Sequence, residues 1–398
     1  MATTLQINHE ILRWARETTG LTQEESAQKL HIGAAHGLSP AQRLDALEVG
    51  ADMPTRQMLL KMSKLYRRPL LVFYLEAPPP RGDRGEDFRQ LPVQISPSQE
   101  GLVDALVRDI RVRQNIVKSA LEEEDEAITI PAVGSMRIED GVAAVSRSIQ
   151  KYLEIDLTTF RDQPKNGDAF SYLRNRVESA GFFVLLIGDL GSHHSALSVD
   201  YFRGFALVDT VAPFIVINDK DAKSAWSFTL LHELAHIWIG REGVSAAIRD
   251  TGVEQFCNDV AAFLLLQDSN IHELETISQV RFEDAVYAIG NFARDKNVSL
   301  SMVAYQLYRR GMINYGLWVS LQNEFRRLWL ESRASEQRAA RAHDGGPSYY
   351  VVRRYHVGHA LINLISRMTA SGAITSTKAG KVLGVKPRNV YELIGVGR

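Results

Sequence analysis

The chain has almost no cysteine: Cys257 is the only one in 398 residues. That excludes an internal disulfide framework and suits a reducing compartment, so a cytoplasmic protein is expected. Long apolar runs are missing too. No segment reaches the roughly 20 residues of a membrane span. The start, Met1-Ala-Thr-Thr-Leu-Gln-Ile-Asn-His-Glu10, does not read as a signal peptide, so no membrane partner is expected. Excess charge of either sign is absent, with 46 Lys and Arg against 47 Asp and Glu. No glycine-rich phosphate loop and no internal repeat occurs. What remains is an ordinary soluble composition, 45% hydrophobic and 23% charged. The length suits about two or three domains.

What is present is concentrated in Phe228-Thr-Leu-Leu-His232-Glu233-Leu-Ala-His236-Ile-Trp-Ile-Gly240. Read as a helix, this run sets His232 and His236 one turn apart on one face. Two imidazoles at that spacing can share one Zn²⁺, with Glu233 beside the metal's open position. The other residues are apolar all round, so the helix should cross a core. Two histidines and a carboxylate in such a helix are costly unless something satisfies them, and a metal does.

Catalytic zinc usually takes three protein ligands and leaves a fourth position for water. The next helix, from Gly252 to Leu266, has an apolar stripe through Val253, Phe256, Cys257, Val260, Ala261 and Leu264. Glu254 sits at its edge, and the small Ala261 permits close helix–helix approach. Glu254 is the favoured third ligand; Asp250, Asp259 and His272 are its rivals. Cys257 reads as a small buried hydrophobe, with a redox or ligand role as the alternative.

The strings Ile215-Val-Ile-Asn218, Phe228-Thr-Leu-Leu-His-Glu-Leu-Ala-His236 and Glu254-x-x-Cys-Asn258-x-x-Ala261-Ala resemble the ImmA/IrrE family of zinc metallo-endopeptidases. The resemblance spans roughly residues 165–315. It implies His232, His236 and Glu254 as ligands of one Zn²⁺, with Mn²⁺ the alternative metal, and Glu233 as the catalytic carboxylate. It also implies a protein substrate, a helix-turn-helix repressor or antitoxin whose cleavage relieves repression. Cys257 and Val260 depart from the family pattern, where Ala and Phe are usual, and neither is a proposed ligand. Asn258, one turn after Glu254, is a candidate for orienting a ligand.

Residues 8–75 read as short helices. Thr22 with Glu25 forms a capping box, Ser39-Pro40 opens a helix ended by Gly50, and Pro54-Thr-Arg starts another. This region resembles a helix-turn-helix domain of the lambda-repressor (XRE) type. It carries nine Lys and Arg against seven Asp and Glu, a weak electrostatic footprint for DNA. Gln42 and Arg43 are the side chains it offers to a groove, beside Asp45 and Glu48. Residues 31–38 make a longer loop than the tight turn of a DNA reader. DNA and a docked protein are both open as partners of this domain.

Pro78 to Asp87 is a linker by composition. A long helix follows, from Ser96-Pro97 to about Glu124, and another at 168–180 stops at Gly181. Phe182–Ile187, Gly204–Val208 and Phe214–Ile217 read as strands. One of them is a candidate to hold a substrate backbone beside the metal; the sequence does not say which. His193 and His194 read as a surface turn, with oxyanion stabilisation as the alternative role. The stretch from Asn323 to His343 reads as an arginine-rich solvated helix. In the tail, Ile374 to Leu393 also resembles a helix-turn-helix, with Ala379 in the first helix, Gly384 at the turn and a basic second helix. Packing against the catalytic domain or a substrate protein is its other role.

The expected fold is mostly α (α+β). A helix-turn-helix bundle (1–76) and a linker (77–97) precede a zincin-like HExxH domain with a small sheet (98–315); a helical region (316–398) follows. The expected function is a regulatory zinc endopeptidase. The alternative is a DNA-binding regulator whose zinc domain senses or scaffolds without proteolysis.

Overall fold

The computed structural model describes residues 7–79, 97–191, 195–199, 201–241, 251–266, 271–342 and 348–395. The chain is mostly helical with one three-stranded sheet, an α+β protein. Its described residues fall into two compact units. One takes those up to 82 with 91–109 and 189–202; the other takes those of 110–188 and 203–398. Most of the linker, together with Asp250, His193 and His194, lies outside the described residues. No helix among the described residues is long and apolar enough to cross a membrane.

In the first unit, α1 (His9–Glu17), α2 (Gln23–Lys29), α3 (Pro40–Glu48) and α4 (Arg56–Leu65) surround Ile11, Leu12, Ala15, Ala27, Leu30, Leu44, Leu59 and Met62. Local chemistry starts the helices where the sequence says it should. Thr22 accepts from the Glu25 amide while Glu25 accepts from the Thr22 amide, and Ser39 and Gln42 repeat the exchange with Pro40 at the first helical position. Inside, Arg16 forks onto Glu48 at 2.7 and 3.0 Å. Gln42 is thus occupied in a cap, and Arg43 donates to the Gly33 carbonyl at 2.6 Å. Both side chains offered to a groove by sequence are engaged within the unit.

The long helix α5 (Pro97–Glu123) is followed by α6 (Val142–Tyr152), α7 (Leu157–Arg161) and α8 (Asn166–Ser179), all before the sheet in sequence. Strands β1 (Phe183–Leu186), β2 (Gly204–Leu207) and β3 (Phe214–Ile217) form the sheet in the order β1-β3-β2, with β1 parallel and β2 antiparallel to β3. All four β1 and β3 residues are buried, which suits their unbroken apolar runs. α9 (Lys223–Trp238) packs on β2, β3 and α8, and α10 (Thr251–Leu265) packs on α9 and α6. Further helices are α11 (Phe282–Asp295), α12 (Leu300–Arg309), α13 (Tyr315–Ala342), α14 (Tyr349–Val357), α15 (His359–Ala370), α16 (Ser376–Leu383) and α17 (Val390–Ile394).

The C-terminal helices belong to the same unit as the sheet, and a buried ion pair fastens them. Arg174 on α8 pairs with Glu178 at 2.9 Å and donates to the carbonyls of Val184 in β1 and of Tyr355 and His356 in α14. Glu178 accepts from the amides of His359 and Ala360 at 2.8 and 3.1 Å, the open first turn of α15. Glu178→Ala therefore strands a buried guanidinium, at a cost of about 3–5 kcal/mol. A large drop in the urea midpoint is expected, with the C-terminal helices released early in limited trypsinolysis. A midpoint equal to wild type would contradict this.

Candidate metal centre

Every α9 side chain from Trp226 to Trp238 is buried. His232 and His236 are each 1% exposed, Glu233 2% and Glu254 6%. The four-residue spacing stacks the two imidazoles along one face, with ring centroids 4.9 Å apart and Nε2 atoms 3.2 Å apart. From α10, Glu254 faces both rings, with one carboxylate oxygen toward each. Its Oε2 lies 3.3 Å from His232 Nε2, and its Oε1 lies 3.3 Å from His236 Nε2. Helices α9 and α10 can come this close because Ala261 and Cys257, both fully buried, add little bulk between them.

The cluster can be tested against a metal ion. Ligands about 2.0–2.1 Å from a tetrahedral zinc stand about 3.3–3.4 Å apart, close to the 3.2 Å between the two Nε2 atoms and the 3.3 Å from each of them to one oxygen of Glu254. The donor set of two imidazole nitrogens and a carboxylate is one that zinc takes in hydrolases. These three residues are the one group of metal-binding donors found among the described residues. Burial alone would raise the Glu254 carboxyl, but the facing His232 and His236 rings outweigh it and bring it down to about 2. Glu254 is accordingly a carboxylate at neutral pH, the form that binds metal.

The rivals lie elsewhere. Asp259 faces Gln255 at 2.8 Å and Arg309 at 3.5 Å, and exposed His272 pairs with Glu275. Cys257 is not in the metal-binding group; burial pushes its thiol up, so it stays protonated, as a small core residue would. Asn258 is buried, and its Oδ1 has no hydrogen-bond partner among the described residues. A cavity of about 590 Å³ beside Ile130, Phe183 and Leu364 is lined by none of the site residues.

Sequence reasoning left open which strand lies beside the site. It is β2. A Cβ built on Gly204 would stand 2.6 Å from Thr229 Cγ2, and 3.0 Å from both Glu233 Oε1 and Val216 O. Only a residue without a side chain lets this strand lie flush against α9 at Glu233. Gly204→Ala should overpack the contact and cost about 1–3 kcal/mol, lowering the urea midpoint; an unchanged midpoint would show that the strand gives way freely. The only sequence signal was a glycine opening an apolar strand, which often marks close backbone approach.

Residues 189–308 match the family model of the IrrE N-terminal-like domain, Peptidase_M78. The matched stretch holds β2, β3, α9 and α10, and with them all four site residues. It supports the ImmA/IrrE resemblance and a metallopeptidase-like role for this part of the chain. None of the curated proteins and none of the solved structures matches the chain.

Proposed function

We propose that this chain is a zinc-dependent endopeptidase with a regulatory role. His232, His236 and Glu254 are its metal ligands and Glu233 is its catalytic carboxylate. The observation that carries the reading is the convergence of two imidazole Nε2 atoms 3.2 Å apart with a carboxylate that sets one oxygen 3.3 Å from each, beside Glu233 and the Gly204 end of β2. When bound, the metal supplies a Lewis acid that polarises a carbonyl and eases loss of a proton from water.

The chain's own groups do the rest. Glu233 accepts the proton of the attacking water and delivers it to the leaving amine. Its burial keeps bulk water from competing for that proton. The edge of β2 supplies a place for substrate backbone. Arg203 O accepts from Asn218 N at 2.8 Å, so in the antiparallel alternation the N–H and C=O of Gly204 and Ala206 point away from β3. Among the described residues no strand takes that edge. Ala206 is fully buried and Gly204 half-buried, so an extended peptide meets the strand at its Gly204 end, next to Glu233, where main-chain pairing holds it without regard to side chains.

The substrate class follows the family resemblance: a helix-turn-helix repressor or antitoxin. The first test is metal content of the purified chain by mass spectrometry, where about one zinc per chain is expected. Manganese in its place would change the metal and leave the ligand set standing. No metal after purification without chelators would overturn the reading. Incubation with neighbour-encoded repressors, read by gel and intact mass, then tests the substrate. Sequence-specific DNA binding with every such repressor left intact would favour a regulator that cleaves nothing.

A further inference from the structure

The C-terminal segment differs in charge from the rest of the molecule. Residues 348–395 contain seven Lys and Arg against one acid, Glu392. The whole chain has 46 against 47, which leaves 39 against 46 elsewhere. A basic segment thus rides on an otherwise acidic chain.

At least three of the seven arginines and lysines have structural work. Arg353 donates to the Leu383 and Gly384 carbonyls, and Arg354 to those of Glu392 and Leu393, closing the ends of α16 and α17. Arg367 pairs with Glu126. Lys378, Lys381, Lys386 and Arg388 are exposed, and with them Tyr391, 49% exposed. All five lie between Ser376 and Ile394.

The fold of that stretch gives the charges a frame. α16 and the helical stretch from Pro387 to Ile394 pack on α15 through fully buried Ile365, Ala379, Val382, Leu383, Val390 and Leu393. Gly384 makes the turn in the left-handed region at φ 64°. Gly380 faces the chain after the turn so closely that a Cβ would stand 2.8 Å from Val385 O and 3.2 Å from Pro387 N. Two short helices joined by a tight glycine turn and braced by a third make the tri-helical arrangement with which small domains enter a DNA major groove. The N-terminal bundle lacks these features: its charge is nearly balanced, and its Gln42 and Arg43 are engaged internally.

We propose that residues 376–394 form a binding surface for double-stranded DNA. Lys386, Arg388 and Tyr391 face the groove, while Lys378 and Lys381 meet phosphates along its rim. The surface lies outside the metal site and does not depend on the peptidase reading. A role beside proteolysis follows: the chain is concentrated on the same nucleic acid that a DNA-bound protein substrate occupies.

The test is fluorescence anisotropy with the full-length protein, a labelled mixed-sequence duplex and the matching single strand, over a salt series. Duplex binding is expected at low salt, with log K falling against log salt at a slope of about −3 to −4, as four phosphate-neutralising cations require. Lys378→Glu, Lys386→Glu and Arg388→Glu combined should weaken binding at least about tenfold, and Arg388→Ala alone should flatten the slope by about one. Thermal melting checks that both variants stay folded. Lys61→Glu with Lys64→Glu, exposed on α4, should leave binding unchanged. Failure to bind duplex at low salt would overturn the proposal. So would preference for the single strand, or binding lost through the α4 substitutions and kept in the C-terminal ones. Zinc content and cleavage play no part in this readout, so either reading can fail alone.

Discussion

Glu233→Gln is expected to abolish peptide cleavage while the metal stays bound. The amide keeps the size and the buried seat of the carboxylate on α9, but it cannot take a proton from water. Losing a positioned general base costs about 10²–10⁴-fold in rate. Glu233 is not one of the three residues whose donor atoms converge, so metal content should match wild type. Mass spectrometry for metal and an intact-mass cleavage assay on one preparation decide it. A variant that sheds its metal would make Glu233 a ligand. One that cleaves at the wild-type rate would make it a bystander.

Glu254→Ala is the complement: the metal itself should be lost. Among the described residues the carboxylate is the one donor that α10 contributes to the group, and removing it leaves two imidazoles on one helix face. Loss of an outer partner of a ligand typically costs about 10–100-fold in metal affinity; loss of the ligand should exceed that. Chelator competition measures the affinity without any substrate, so the outcome does not wait on finding one. Full retention of metal would move the third ligand elsewhere, into the residues between α9 and α10 before any other place. Glu254→Asp should recover part of the affinity, since the charge returns on a shorter arm.

The pairing of His232 with His236 was legible because helical spacing is a local property: four residues apart means one face. Glu254 was legible as a carboxylate at the edge of an apolar stripe, and the ImmA/IrrE resemblance singled it out from its rivals. The caps at Thr22 and Ser39 and the strands near 183, 204 and 214 were readable for the same local reason. What escaped is long-range. Nothing in Gly204 to Leu207 states which strand lies at the sheet margin, because the order β1-β3-β2 is set by a crossover. Arg174 and Glu178, four residues apart, have the spacing of a solvated surface pair, and only the fold turns them inward. Arg353 and Arg354 likewise look like free charge in the sequence, yet both are spent on carbonyls.

The two margins of the sheet are unlike. On β1, the Val184 carbonyl is taken by Arg174, and a Cβ at Gly358 would stand 2.9 Å from the same oxygen, so the C-terminal helices already seal that flank. On β2 no further strand pairs among the described residues, Gly204 is half-buried beside Glu233, and Ala206 and Leu207 are fully buried. A peptide entering beside Glu233 therefore meets this margin at its Gly204 end, the half-buried end of β2.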